Sequence, residues 1–197
     1  MNAAWLRRIV GTLCAWALLA AGLARAADGN ADDEALWRAL RDGGQLVLMR
    51  HASAPGVGDP PGFRIDDCAT QRNLSEQGRR EATEAGERFH RHGVTRADIY
   101  SSLWCRCLET ARLLGLGPVT PLPALNSFFE NDKREAEQTA QLRALISAHP
   151  AQRNLVLVTH QVNITALTGV FPESGEMLVL RPRGGKLQLL GRIRAGR

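Results

Sequence analysis

A membrane-spanning helix needs roughly 20 consecutive apolar residues, and the apolar run Ile9 to Leu23 is too short for one. The chain has no internal repeat and no low-complexity linker. With 44% hydrophobic and 23% charged residues it is neither disordered nor collagen-like. Aromatic residues make up only 5%. None is interleaved with the C-terminal basic cluster of Arg181, Arg183, Lys186, Arg192, Arg194 and Arg197, so that cluster reads as a solvated hairpin and tail, not a nucleic-acid surface. Cysteine is sparse, and the Cys105-x-Cys107 pair has no His or Cys pair after it at zinc spacing, so no metal site is expected. His90 and His92 are two residues apart, a spacing that does not put two ligands on one helix face. They and His149 are taken as surface residues.

What is present begins with a leader. Arg7 and Arg8 precede the apolar run, and Ala24-Arg25-Ala26 makes an A-x-A cleavage site, so residues 1–26 read as a secretory signal peptide and 27–197 as a single domain. Cys14 lies mid-run, away from any small-residue cleavage box, which argues against a lipid anchor. The 25 basic and 20 acidic residues give a net charge of +5, and loss of Arg7, Arg8 and Arg25 with the leader leaves +2. Such a protein has little non-specific attraction for nucleic acid. The expected location is periplasmic or secreted, with no stable membrane insertion after cleavage. Export suits the cysteines. Cys68, Cys105 and Cys107 remain, an odd number, so one internal disulfide at most forms, from Cys68 to Cys105 or to Cys107.

Along the mature chain, helical and strand patterns alternate. Asp32 to Arg41 reads as a helix ended by Gly43-Gly44, and Gln45 to Met49 is a continuous apolar strand. Residues 54–72, rich in Gly and Pro, form a loop long enough to be functional. Ser75 caps a helix to His92, whose small residues Gly78, Ala82 and Ala85 let it approach a sheet. A strand Ile99–Ser102, a helix from about Trp104 to Leu116 and a short strand Val119–Leu122 follow. Then come a helix Lys133–His149, a second apolar strand Leu155–Thr159 and a short helix Gln161–Leu167. A hairpin of Met177–Leu180 and Leu187–Leu190 turns through Arg183-Gly184-Gly185. The fold class is α/β: a three-layer α/β/α sandwich whose sheet is mostly parallel with an antiparallel edge.

In such sheets ligands bind beyond the carboxyl ends of the strands. There the first strand delivers Arg50-His51, the next leads to Arg106 on the following helix, and the second apolar strand ends at His160. The helix beginning at Gln161 turns its N-terminus, which favours anions, to the same edge. Arg91-His92 is a decoy, because it ends a polar helix where cations suit the dipole. Two guanidiniums and two imidazoles suit a phosphoryl group: arginine gives planar donors to its oxygens, and a neutral imidazole is a nucleophile for phosphorus.

These residues resemble the histidine phosphatase, or phosphoglycerate mutase-like, superfamily. Leu48-Met49-Arg50-His51-Ala52 resembles its first-strand R-H motif, and Asn73 to Arg79 the L-[ST]-x-x-G segment opening its first long helix. Ser101 to Ala111 resembles S-S-x-x-x-R-[AC]-x-x-T-A, and Val156 to His160 the strand of the second His. The resemblance implies that His51 is phosphorylated in turnover, that Arg50, Arg106 and His160 bind phosphoryl oxygens with Gln161 beside them, and that no metal or other cofactor takes part. Cys107 stands where that family has a small buried residue, which leaves Cys105 to pair with Cys68. The segment Trp104-Cys-Arg-Cys107 with Thr159-His-Gln-Val-Asn163 is similar to lipopolysaccharide core heptose phosphate phosphatases, which implies a small-molecule or glycolipid phosphoester as substrate. The chain departs from the family at Ser127, where an L-x-E motif would place the acid. Glu130, beside Phe128 and Phe129, is then the expected proton donor to the leaving group. The expected activity is a metal-independent phosphomonoesterase, and the rival is a phosphate-binding or envelope interaction protein without turnover on the same fold.

Overall fold

The structure is a computed structural model that describes residues 33–129 and 131–195; the leader reading of 1–26 lies outside them. From Leu36 on, the described residues form one unit, in which six strands form one sheet: β1 (Leu46–Arg50), β2 (Asp98–Ser101), β3 (Val119–Pro121), β4 (Leu155–Thr159), β5 (Met177–Arg183) and β6 (Lys186–Ile193). Their order is β3-β2-β4-β1-β5-β6. The first four run parallel, and β5 and β6 add an antiparallel edge.

The apolar runs of β1 and β4 are explained by burial on both faces. With a side-chain period of two, Val47, Met49, Val156 and Val158 enter one core with Leu36, Trp37 and Leu40 from helix α1 (33–42). The helices α2 (Glu76–Arg91) and α3 (Cys105–Leu113) supply Ala85, Phe89, Cys107 and Ala111 to the same core. Leu46, Leu48, Leu155 and Leu157 enter the other core, with Leu142 and Ile146 of α4 (Glu135–Ala148) and Ile164 and Leu167 of α5 (Gln161–Thr168). The result is the expected three layers.

Several details differ from the sequence reading. Of the small residues of α2, Ala85 packs in the core with the sheet as expected, while the glycines meet other backbone: a Cβ on Gly78 would lie 2.1 Å from the Ser53 carbonyl oxygen, and one on Gly86 2.4 Å from that of Leu114. Helix α3 stops at Leu113 because Gly115 takes a positive φ of 65°, and a 3-10 turn, Asp132–Arg134, replaces the expected first turn of α4. The hairpin strands are longer than expected, since Arg183 pairs with Lys186 and leaves a two-residue turn of Gly184 and Gly185, both at positive φ. Arg192 and Arg194 are only partly solvated and are both engaged. Arg192 donates to both oxygens of the fully buried Glu176 at 2.7 and 2.6 Å, and Arg194 lies 3.5 Å from Oε1. Arg197 lies outside the described residues. Two histidines are also partnered. His149 Nε2 is 2.9 Å from Asp98 Oδ2, and His92 stacks on Trp37 with ring centroids 4.5 Å apart. Only His90 is exposed.

Cys68 and Cys105 form the disulfide, and Cys107 is a buried free thiol. The bridge spans 37 residues and contributes about 4 kcal/mol in the chain-entropy account. It pins the Gly/Pro-rich loop to the start of α3. There Gln71 acts as a remote cap: its Oε1 accepts from Cys105 N at 3.0 Å, which serves a helix whose N-cap Trp104 makes no side-chain cap. Among the described residues, no helix is long and apolar enough to cross a membrane.

Candidate active site

β1, β2 and β4 end side by side, and the chain continues from each into a residue of one cavity. His51 is held by its backbone: its N–H donates to Thr159 O at 3.0 Å and its carbonyl accepts from Gly175 N at 3.1 Å. Arg50 N donates to Glu176 O at 3.1 Å, so the buried Glu176–Arg192 pair also anchors the segment that receives the end of β1. His160 forms the N-cap of α5, and Arg106 is the second residue of α3.

The cavity has a volume of 290 Å³ and is lined by Arg50, His51, Arg106, His160 and Gln161, five of the residues expected from sequence. The sixth, Glu130, lies outside the described residues; Phe129 and Asn131 on either side of it line the cavity, as does Ser127. A larger cavity of 670 Å³ sits at the opposite, amino-terminal edge of the strands and has no histidine in its lining. Among the described residues, no group of three or more His, Cys, Asp or Glu stands together as metal ligands.

The hydrogen bonds set both imidazole tautomers. His51 Nδ1 lies 2.8 Å from Ala52 O. A carbonyl only accepts, so Nδ1 carries the proton and Nε2 keeps its lone pair. The His160 tautomer is set through Ser102 and Asn126. Leu103 N donates to Asn126 Oδ1 at 2.9 Å, so the Ser102 hydroxyl, 3.2 Å away, donates to that oxygen too. Ser102 Oγ therefore accepts from His160 Nε2–H at 2.9 Å. Any contact of His160 with a phosphoryl oxygen has to come through Nδ1.

Both rings are buried and neutral. Burial pushes the His51 pKa down, Arg106, Arg50 and Arg72 push it further against the raising effect of the Ala52 carbonyl, and it falls to about 3. Burial, His51 and the three arginines hold His160 well below the ordinary histidine value as well. Between pH 6.5 and 3 the unfolded chain therefore binds a proton at residue 51 that the native state refuses. Stability from this group is complete above pH 6.5 and declines as pH falls, by about 1.4 kcal/mol per pH unit across that window. The expected result is a urea midpoint that drops from pH 7 to 5 while kcat shows no acid limb near 6.5. A limb there would mean that the His51 ring titrates in contact with solvent.

The sequence reading missed four contributors. Asp59, from the loop, accepts from Arg106 Nη1 and Nη2 at 2.8 and 3.2 Å, from Trp104 Nε1 at 2.9 Å and from Arg72 N at 2.9 Å. Burial alone would raise the Asp59 pKa, but these hydrogen bonds outweigh it and hold the carboxylate ionised. Asp59 thus positions Arg106 and is no proton donor. Arg72 adds a third guanidinium, and Ser102 with Asn126 orients His160. The only sequence signal for the loop residues is their place in a long Gly/Pro-rich segment. Three arginines and one carboxylate leave a net charge of +2 around two neutral imidazoles. The Nε–H groups of Arg50 and Arg106 are buried and hydrogen-bonded to no protein acceptor. Burial, and after it the charge of Arg106, lowers the pKa of both Arg50 and Arg72, a strain that a bound dianion relieves.

Comparison with known proteins agrees with this geometry. Residues 46–137 match the family described as Histidine phosphatase superfamily (branch 1). Among curated proteins, none is significantly similar to the chain in sequence. Solved structures share the fold. The putative phosphohistidine phosphatase SixA from Agrobacterium tumefaciens is 20% identical with a TM-score of 0.56, covering 77% of this chain and 98% of its own. The protein histidine phosphatase SixA in complex with tungstate is 16% identical, also at 0.56, covering 76% and 96%. A mycobacterial glucosyl-3-phosphoglycerate phosphatase is 18% identical at 0.55, covering 74% and 96%. With the strand-end His–Arg–Arg–His set on this sheet, residues 46–137 carry the pattern of the histidine phosphatase superfamily, and the chain shares the fold of its solved relatives.

Proposed function

We propose that the protein is a metal-independent phosphomonoesterase acting through a phosphohistidine on an exported or envelope phosphoester. The observation that carries this is the tautomer of His51. Its Nδ1–H is held by Ala52 O, so Nε2 presents a lone pair within a cavity of net charge +2. Nε2 attacks phosphorus while the free donors of Arg50 and Arg106 and the Arg72 guanidinium balance charge on the phosphoryl oxygens. A dianion counteracts the arginine charges that depress His160, which then takes a proton at Nδ1 and donates it to an oxygen. Glu130 is the proposed donor to the leaving alkoxide, supported by the place of Phe129 and Asn131 in the cavity wall. Water then cleaves the phosphohistidine.

Brief mixing with ³²P-labelled aryl phosphate, quenched in base, tests this reading. The expected result is acid-labile label on His51 and release of inorganic phosphate. Binding without label or turnover would identify a phosphate-binding protein instead. The resemblance at Trp104–Cys107 and Thr159–Asn163 supports a sugar phosphate of the lipopolysaccharide core as one substrate.

A further inference from the structure

Charge recognition at the floor of the cavity gives way to apolar surface at its mouth. Four large hydrophobic side chains are exposed among the described residues: Val57 at 87%, Phe129 at 57%, Phe171 and Leu189. Val57 and Phe129 both line this cavity. Phe171 adjoins Pro172, whose carbonyl accepts from Arg50 Nη1 at 3.0 Å. Val57 sits at a bend between Gly56 and Gly58, both at positive φ. Behind it, Phe63 and Trp104 pack with ring centroids 5.7 Å apart, and Val162 completes the apolar lining. Clustered exposed apolar side chains around a concave site mark a ligand surface, whereas isolated ones need no explanation.

The polar groups at the mouth are mostly engaged within the protein. Gln161 Nε2 donates to Thr165 Oγ1 at 2.9 Å, Ser127 Oγ accepts from Phe129 N at 3.3 Å, and Asp59 already receives four donors. A polyol finds a short set of uncommitted groups among the described residues: the Asn131 amide, Gln161 Oε1 and the Ser127 O–H. An apolar group finds three aromatic rings and two valines.

Building on the phosphomonoesterase reading, we propose that the site prefers, over a sugar phosphate, a phosphomonoester of a hydrophobic alcohol, with an alkyl chain or aryl ring joined directly to the phosphate oxygen. His51 Nε2 forms the N–P bond as the ester P–O bond breaks, and the departing oxygen keeps the bonding pair and takes a proton to leave as the alcohol. Water then adds to phosphorus, loses its proton and displaces Nε2, which recovers its lone pair. The apolar mouth holds the alcohol portion in the first step.

The test compares kcat/KM for n-octyl phosphate, below micelle formation, with that for glucose 6-phosphate. Both leave as primary alkoxides, so the chemical demand is matched. The expected ratio is at least tenfold in favour of octyl phosphate, a factor that burial of about two methylene groups supplies. In Val57→Ser/Phe129→Ser the ratio falls toward one; both positions are exposed, so the fold tolerates the change. Phenyl phosphate as a third substrate shows whether ring or chain fits better, and preference for either over the sugar phosphate supports the proposal. Equal or faster hydrolysis of glucose 6-phosphate would overturn it while leaving the phosphatase reading in place. Absence of hydrolysis of all three esters, with no label on His51, would overturn that reading and the proposal together.

Discussion

His51→Ala is expected to lower turnover on the order of 10⁴-fold or more while the protein stays folded. The catalytic loss follows from removing the group whose Nε2 lone pair faces a +2 cavity. The unchanged fold follows from how little else the ring does. Among the described residues, the ring's one hydrogen bond is to the adjacent Ala52 carbonyl, and its burial as a neutral base is a liability in acid. The variant should therefore show a shallower decline in stability between pH 6.5 and 5, the share of His160 remaining. Far-UV circular dichroism and urea melts establish the fold, and loss of acid-labile label establishes the chemistry. Substantial residual hydrolysis would remove His51 as the nucleophile. Partial recovery with added imidazole would instead strengthen the assignment, because the cavity then accepts an external nucleophile in its place.

Arg106→Ala is expected to cost about 10²- to 10³-fold in kcat and, in addition, about 3 kcal/mol of stability. The second effect arises because Asp59 would keep its charge at 7% side-chain exposure, with only Trp104 Nε1 and the Arg72 amide as donors. The two effects separate in Arg106→Ala/Asp59→Asn. Neutralising the carboxylate restores most of the stability, but it cannot restore a guanidinium to the phosphoryl oxygens. Recovery of activity along with stability would show that Arg106 acts only by holding the loop. A rise in KM with kcat intact would make Arg106 a residue of ground-state binding.

Much of the frame was legible from residues because short-range rules govern it. The continuous apolar runs at Leu46–Met49 and Leu155–Thr159 demand cover on two faces, and the structure supplies it with α2 and α3 on one side and α4 and α5 on the other. Ser75 announced the start of α2, and its Oγ does accept from Gly78 N at 3.0 Å. The positions of Arg50, His51, Arg106 and His160 follow from the rule that a parallel sheet presents its carboxyl ends to ligand, which needs only strand order and direction. Element ends were less legible. Where Leu113 stops and where Arg183 pairs depend on the φ that a glycine takes after folding, and glycine permits several.

By itself the sequence determined the α/β class, the His–Arg–Arg–His set and the resemblance that joins them, since all three are encoded in contiguous runs with local periodicity. Only the tertiary structure decided that Asp59 pairs with Arg106 across 47 residues, that Ser102 and Asn126 set the His160 tautomer, and that Arg192 and Arg194 pair with the buried Glu176. Charged side chains in loops and hairpins have no periodic signature. Whether such a group is a solvated surface residue or a buried partner depends on which opposite charge the fold brings to it, and burial is what makes that choice decisive: in water the pairing is worth little, and inside the protein an unpaired charge is not tolerated.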